Sequence, residues 1–154
     1  MQPTAEHLNT REEQEKRTIL REYRALLRAL KQRIKKGDRG LLRRAFEIAA
    51  DAHKDTRRKS GEPYILHPLA VARICSEEIG LGVRSTICSL LHDTVEDTDV
   101  TLENIQREFG DEIAKIVDGL TKISNVVDVN ASQQAENFRK ILLTLTDDPR
   151  VILI

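Results

Sequence analysis

An all-α fold follows from three features of this 154-residue chain. Apolar residues recur at three- and four-residue steps through most of it, the spacing of one helix face. Aromatic residues make up only 3%, so a core must be built from Leu, Ile, Val and Ala, a mix that favours helices over a β-sandwich. No alternating run is long enough for a strand, and no repeat of fixed period is present. The length suits one domain with a sizeable core. Seven to eight helices are expected.

Residues 1–10 are polar and read as a flexible N-terminus, with the folded domain spanning 11–154. From Arg11 to about Lys36, the residues Ile19, Tyr23, Leu26, Leu27, Leu30 and Ile34 line one helix face. "KKGDRG" stops this helix; Gly37 suits a helix end and Asp38 a new N-cap. A second helix runs from Gly40 to His53, with Leu42, Ala45, Phe46, Ala49 and Ala50 together on a face. The basic loop "KDTRRKSGEPY" follows, closed by Gly-x-Pro.

"PLAVARICSEEIG" opens with Pro68, which a first helical turn tolerates, and ends near Gly80. "VRSTICSLLHD" is almost wholly apolar and is expected at the centre of the fold. "DTDVTLENIQREFG" reads as a loop and then a helix capped by Thr101, with Glu103 and Asn104 in its first turn and Gly110 after its end. "DEIAKIVDGLTKIS" is amphipathic. Residues 125–131 read as a Val- and Asn-rich linker. "SQQAENFRKILLTLTDD" is a helix with a Ser N-cap, and Pro149 opens "PRVILI". That last stretch is an apolar helix start with neither cap nor stop, so the chain is read as a fragment, incomplete on its C-terminal side.

Composition removes several classes of function. Lys plus Arg is 25 and Asp plus Glu is 25, so the net charge is zero. Bulk charge therefore gives no basis for binding nucleic acid or a membrane surface. Hydrophobic content of 40% and charged content of 32% suit a soluble helical domain rather than disorder. The N-terminus lacks an apolar signal core, and no stretch approaches the ~18 apolar residues of a membrane span. Cys75 and Cys88 lie in apolar stretches with no Cys-x-x-Cys pattern, and read as small buried hydrophobes in a reducing compartment. A cytoplasmic location is expected.

The chemistry concentrates in "LLHDTVEDTD", residues 90–99. On a continuing helix, His92 with Glu96 and Asp93 with Asp97 form two stacked pairs. Adjacent residues sit ~100° apart around the axis, so His92 and Asp93 can both turn toward one point. His67 lies 25 residues upstream at a loop–helix junction. Neutral imidazoles with a carboxylate suit Mn²⁺, Fe²⁺ or Zn²⁺. The further carboxylates can orient a water or take its proton. The competing reading is a solvated acidic helix end. Two features favour the metal site: the pair ends an apolar helix, where unpaired charge is costly, and a second His is available.

Three stretches carry a resemblance to a known family: "RRKSGEPYILHPLAVARI", "LLHDTVEDTDVTLENIQREFGDEIAKIVDGLTKI" and "AENFRKILLTLTDDPRVILI". They resemble the hydrolase domain at the N-terminus of the long RelA/SpoT homologues, the stringent-response enzymes that make and break (p)ppGpp. The resemblance covers about Leu41 to Ile154. It implies an HD fold and Mn²⁺-dependent hydrolysis of the 3′-pyrophosphate of (p)ppGpp, giving GDP or GTP and pyrophosphate.

Carried over by position, His67 matches the first His ligand, and His92 and Asp93 the HD pair. Glu96 and Asp97 match the acidic pair beside the water and metal. Arg58, Lys59 and Ser60 match the loop that holds the guanine base and a neighbouring phosphate. Retention of both pairs implies a hydrolase lineage. Without the family, Arg57, Arg58 and Lys59 still offer a local basic patch to an anion, although an ordinary solvated loop reads the same way.

The resemblance also implies one metal site whose fourth protein ligand, an Asp, lies beyond Ile154. The chain as given is therefore expected to bind Mn²⁺ weakly and to hydrolyse ppGpp poorly. Implied partners are the guanine nucleotide and, in the parent chain, downstream synthetase and regulatory domains; direct nucleic-acid binding is not implied. Two alternatives stay open. One is a catalytically silent HD module that controls a downstream synthetase. The other is an HD phosphohydrolase of another nucleotide, against which "RRKSGEPY" argues. Four residues carry less weight. His53 is read as packing against or capping its helix, and Lys122 and Arg139 as members of polar helix faces. Asn137 falls in "AENFRK", where Phe138 stands at a position polar in many relatives.

Overall fold

The computed structural model describes residues 5–127 of the chain. Its seven helical segments are α1 (Ala5–Ala29), α2 (Asp38–Ala52), α3 (Leu66–Glu77), α4 (Val83–Leu91), α5 (Thr94–Asp97), α6 (Leu102–Phe109) and α7 (Asp111–Val127). Among the described residues there is no strand, only an isolated antiparallel bridge between Arg57 and Pro63. The all-α expectation therefore holds. The helix expected over "SQQAENFRKILLTLTDD" and the segment from Pro149 lie outside the described residues.

The apolar sequence of α4 explains its place. Val83 and every residue from Ser85 to Leu91 are buried, and α2, α3 and α7 all pack against it. Thr86 and Ser89 enter this core without stranding their hydroxyls. Ser89 Oγ donates to the Ser85 carbonyl at 2.8 Å, and Thr86 Oγ1 to the Gly82 carbonyl at 3.1 Å. Leu26 and Leu30 from the first helical face, Leu42, Ala45 and Ala49 from α2, and Ile116 and Val117 from α7 complete the buried cluster. Tyr23 stacks on Phe46 at 4.3 Å, joining α1 to α2. Cys75 and Cys88 are buried thiols, as their setting implied.

Several boundaries differ from those read in the sequence. α1 starts at Ala5, so residues 5–10 are helical where their polarity suggested a loose end. It closes at Ala29 rather than near Lys36. The chain then turns through short backbone bonds such as Arg33 N–H to the Leu30 carbonyl at 2.8 Å, still presenting Leu30 to the core. Asp38 is the first residue of α2 and not its cap; the cap is Gly37 at φ 91°, a conformation that suits glycine. The Asp38 carboxylate instead accepts the Lys35 N–H at 2.7 Å.

α7 continues to Val127, through the first residues read as a linker. The Thr101 cap is as expected and is reciprocal: Thr101 Oγ1 accepts from Asn104 N–H, and the Asn104 side chain accepts from Thr101 N–H at 3.0 Å. Arg33 had no sequence signal. Its guanidinium donates to the carbonyls of Ser76 at 2.8 Å and Leu81 at 3.1 Å, satisfying acceptors at the end of α3.

Candidate metal centre

α3 delivers His67 and the end of α4 delivers His92 and Asp93. The helix carrying His67 begins at Leu66, two residues before Pro68, so His67 sits inside its first turn rather than ahead of it. α4 ends at Leu91, and His92 caps it in helical geometry. Asp93 then caps the single turn of α5. The helix anticipated through residues 90–97 is thus two segments. Thr94, fully buried, donates its hydroxyl to the Leu91 carbonyl at 2.7 Å, taking over an acceptor that a continuing helix would have used.

One ligand atom from each of His67, His92 and Asp93 lies within 4.8 Å of the others. Asp93 spans the two imidazoles: its Oδ1 is 3.0 Å from His92 Nε2 and its Oδ2 is 3.5 Å from His67 Nε2. His92 Nδ1 lies 2.6 Å from the Ser89 carbonyl oxygen, which can only accept. Nδ1 therefore carries a proton, and Nε2 is the nitrogen turned to the cluster. Burial pushes the His67 pKa down, against the opposing charge of Asp93, so His67 is neutral near pH 7. Burial also opposes charge on His92, but its hydrogen bond to Asp93 and that residue's charge outweigh it and raise the pKa. For Asp93 the balance is the mirror image: burial raises its pKa, and the bond to His92 with the adjacent charge brings it down. Two imidazoles and one carboxylate with converging atoms fit a divalent transition-metal ion.

Glu96 and Asp97 are exposed on α5, outside the ligand cluster. The Asp97 charge nevertheless acts on His53, Tyr64 and His92, which places it on the cluster's side of the turn. The basic loop is less free than its composition suggested. Arg57 is held by Glu15 of α1 through two bonds of 2.9 Å and donates to the Gly61 carbonyl at 2.8 Å. Arg58 pairs with Glu62 at 3.0 Å. Lys59 and Ser60 are exposed at the tip, and Gly61, at φ 89°, makes the turn that brings the loop back. The Arg58 charge bears on both His67 and Tyr64.

Two residues at the site carried no sequence assignment as site residues. Tyr64 donates its hydroxyl to Asp93 Oδ2 at 2.7 Å. His53, the C-cap of α2 as expected, stacks against Tyr64 with ring centroids 4.5 Å apart. A Tyr three residues before a candidate ligand His was the available signal for the first; nothing local marked the second. Lys122 is engaged with Asp118 at 2.7 Å, one turn away, and Asn137 and Arg139 lie outside the described residues.

In this all-helical domain the His–Asp dipeptide after α4 converges with a His from a neighbouring helix on a candidate metal site. The chain belongs to the HD domain family, whose model matches residues 45–154. HD domains bind divalent metal, and the cluster offers that site.

Among curated relatives, the chain is 49% identical over 113 residues to the guanosine-3′,5′-bis(diphosphate) 3′-pyrophosphohydrolase of Aquifex aeolicus, covering 73% of this chain and 16% of that protein. It is 45% identical over 119 residues to a probable GTP pyrophosphokinase of Mycobacterium leprae, covering 77% and 15%. It is 43% identical over 114 residues to the bifunctional (p)ppGpp synthase/hydrolase SpoT of Escherichia coli, covering 73% and 16%. The chain thus spans about a sixth of the length of these relatives. No helix among the described residues is long and apolar enough to cross a membrane.

Proposed function

We propose that this domain hydrolyses the 3′-pyrophosphate of ppGpp and pppGpp, with Mn²⁺ held by His67, His92 and Asp93. The observation that carries the reading is the convergence of those three ligand atoms within 4.8 Å. The relatives' names cover both synthesis and hydrolysis of the nucleotide. A His, His and Asp cluster in an HD domain supports the hydrolytic half for this segment.

When bound, the cation supplies positive charge that polarises a phosphoryl oxygen and makes water more acidic. The chain's own residues do the remaining work. His67 offers a neutral imidazole. The Ser89 carbonyl holds His92 in the tautomer that leaves Nε2 for the cluster. Asp97, with Glu96 beside it, takes the proton of the attacking water. The water oxygen bonds to the phosphorus attached to the ribose 3′-oxygen, and that phosphorus–oxygen bond breaks. The 3′-oxygen regains a proton, and pyrophosphate leaves with GDP or GTP as the other product. Arg58, Lys59 and Ser60 hold the base and a neighbouring phosphate, and a bound phosphate competes with Glu62 for Arg58.

The test is ppGpp hydrolysis followed by nucleotide chromatography during a MnCl₂ titration, with His92→Ala and Asp93→Ala in parallel. Mn²⁺-dependent release of GDP and pyrophosphate is expected from the full chain carrying this domain, and loss of both products in the two variants. Undiminished hydrolysis by the variants would remove the metal centre from the reaction.

A further inference from the structure

Tyr64 closes the basic loop and reaches the candidate metal centre at once. Its N–H donates to the Thr56 carbonyl at 3.0 Å across the loop, and its own carbonyl accepts the His67 N–H at 2.9 Å. One turn of chain therefore supplies both a ligand and a neighbour to it. The Tyr64 hydroxyl donates to Asp93 Oδ2 at 2.7 Å. The ring is held on two sides, by His53 at 4.5 Å and 36° and by His67 edge-on at 5.7 Å and 64°. His53 is only 2% exposed, and neither of its ring nitrogens has a hydrogen-bond partner among the described residues. Burial pushes its pKa down, so it packs behind Tyr64 as a neutral, flat ring.

We propose that Tyr64 is a positioning residue for the metal centre, pinning the Asp93 carboxylate between the two imidazoles, with His53 bracing the Tyr64 ring. The inference rests on the reading of His67, His92 and Asp93 as metal ligands. Rotation of a carboxylate about its terminal torsion is soft, with broad wells. Without a third contact, Asp93 keeps its charge near His92 but loses the orientation that brings one oxygen to each imidazole. A hydroxyl fixed by its own backbone and by two packed rings removes that freedom. Hydrogen-bond partners of ligating carboxylates act in this way, and their loss typically weakens metal binding roughly 10–100-fold. Burial, followed by the bond to Asp93, raises the Tyr64 pKa well beyond the usual phenol range.

Binding of Mn²⁺ alone, without nucleotide, tests this in the full chain carrying the domain. Free Mn²⁺ is read by electron paramagnetic resonance well below the melting temperature, beside the metal-free Tm. Tyr64→Phe keeps the ring and its packing. It is expected to raise the Mn²⁺ Kd roughly 10–100-fold while shifting the metal-free Tm by only a few degrees. His53→Ala keeps the hydroxyl but opens space behind the ring, and is expected to weaken Mn²⁺ binding by a smaller factor; His53→Phe should restore it. Wild-type Mn²⁺ affinity in Tyr64→Phe overturns the role given to Tyr64 and leaves the ligand assignment standing. A wild-type protein that binds no Mn²⁺ overturns both.

Discussion

His92 Nδ1 lies 2.6 Å from the carbonyl oxygen of Ser89, one turn earlier in α4. The contact is to backbone, so it follows wherever the helix places residues 89 and 92. It orients the ring and decides which nitrogen is left for a ligand. His92→Ala removes that nitrogen and leaves Asp93 Oδ1 without the imidazole 3.0 Å away. Mn²⁺-dependent hydrolysis is expected to fall at least about a hundredfold, more than for loss of a supporting hydrogen bond. Circular dichroism should stay helical, because the residue sits at the half-buried end of α4 and not in its core. Initial rates at saturating Mn²⁺ provide the check.

Asp97 and Glu96 are neighbours with unequal settings. The Asp97 charge is among the leading influences on His53, Tyr64 and His92, and the Glu96 charge is not. Asp97→Asn is therefore expected to lower kcat by roughly 10²–10⁴, the range for loss of a general base, with Mn²⁺ affinity unchanged. Glu96→Gln should cost less. Equal losses, or a loss confined to KM, would remove Asp97 from proton transfer.

Glu15 ties the basic loop to α1. Its carboxyl accepts from Arg57 and from Arg11, and these bonds, that of Arg57 foremost, hold its pKa below the ordinary Glu value against the upward push of burial. A lowered folded-state pKa makes the contribution present above the unfolded value and lost as pH falls through the folded one. Glu15→Gln is expected to lower Tm by no more than a few degrees at neutral pH, since pairs this exposed are screened by solvent. The wild-type and variant curves of Tm against pH should converge as pH falls through and below the ordinary Glu range. The same variant should raise KM for ppGpp, because Arg57 also shapes the loop through the Gly61 carbonyl.

Leu90 is fully buried in the helix that leads into His92 and Asp93. Leu90→Ala is expected to destabilise the fold by about 2–5 kcal/mol, measured by urea denaturation, a large share of the stability of a domain this size. Ile74, 47% exposed on α3, provides the contrast: Ile74→Ala should fall within about 0.5 kcal/mol.

Local patterns reached a large part of this protein. The near-continuous apolar run from Val83 to Leu91 marked a central helix, and α4 is the helix on which three others pack. Thr101 and Asn104 marked a cap that lies within four residues of sequence. His67, His92 and Asp93 were legible as a candidate ligand set because such a set depends on residue type and on two helices packing side by side. Boundaries were less legible. A helix end such as that of α1 at Ala29 is decided by turns that the apolar spacing does not encode, since Leu30 and Ile34 stay against the core after the helix has stopped.

What the sequence determined by itself was the helical class, the central helix and the residues able to hold a metal, because periodicity and side-chain chemistry are local properties. Only the tertiary structure decided which polar groups are already engaged. Arg57 looked like a free cation until Glu15, 42 residues away, was found holding it. Tyr64 looked like a loop residue until its hydroxyl met Asp93, 29 residues on. Hydrogen bonds and ion pairs act over about 3 Å in space, and no pattern along the chain specifies which distant residues folding will bring that close.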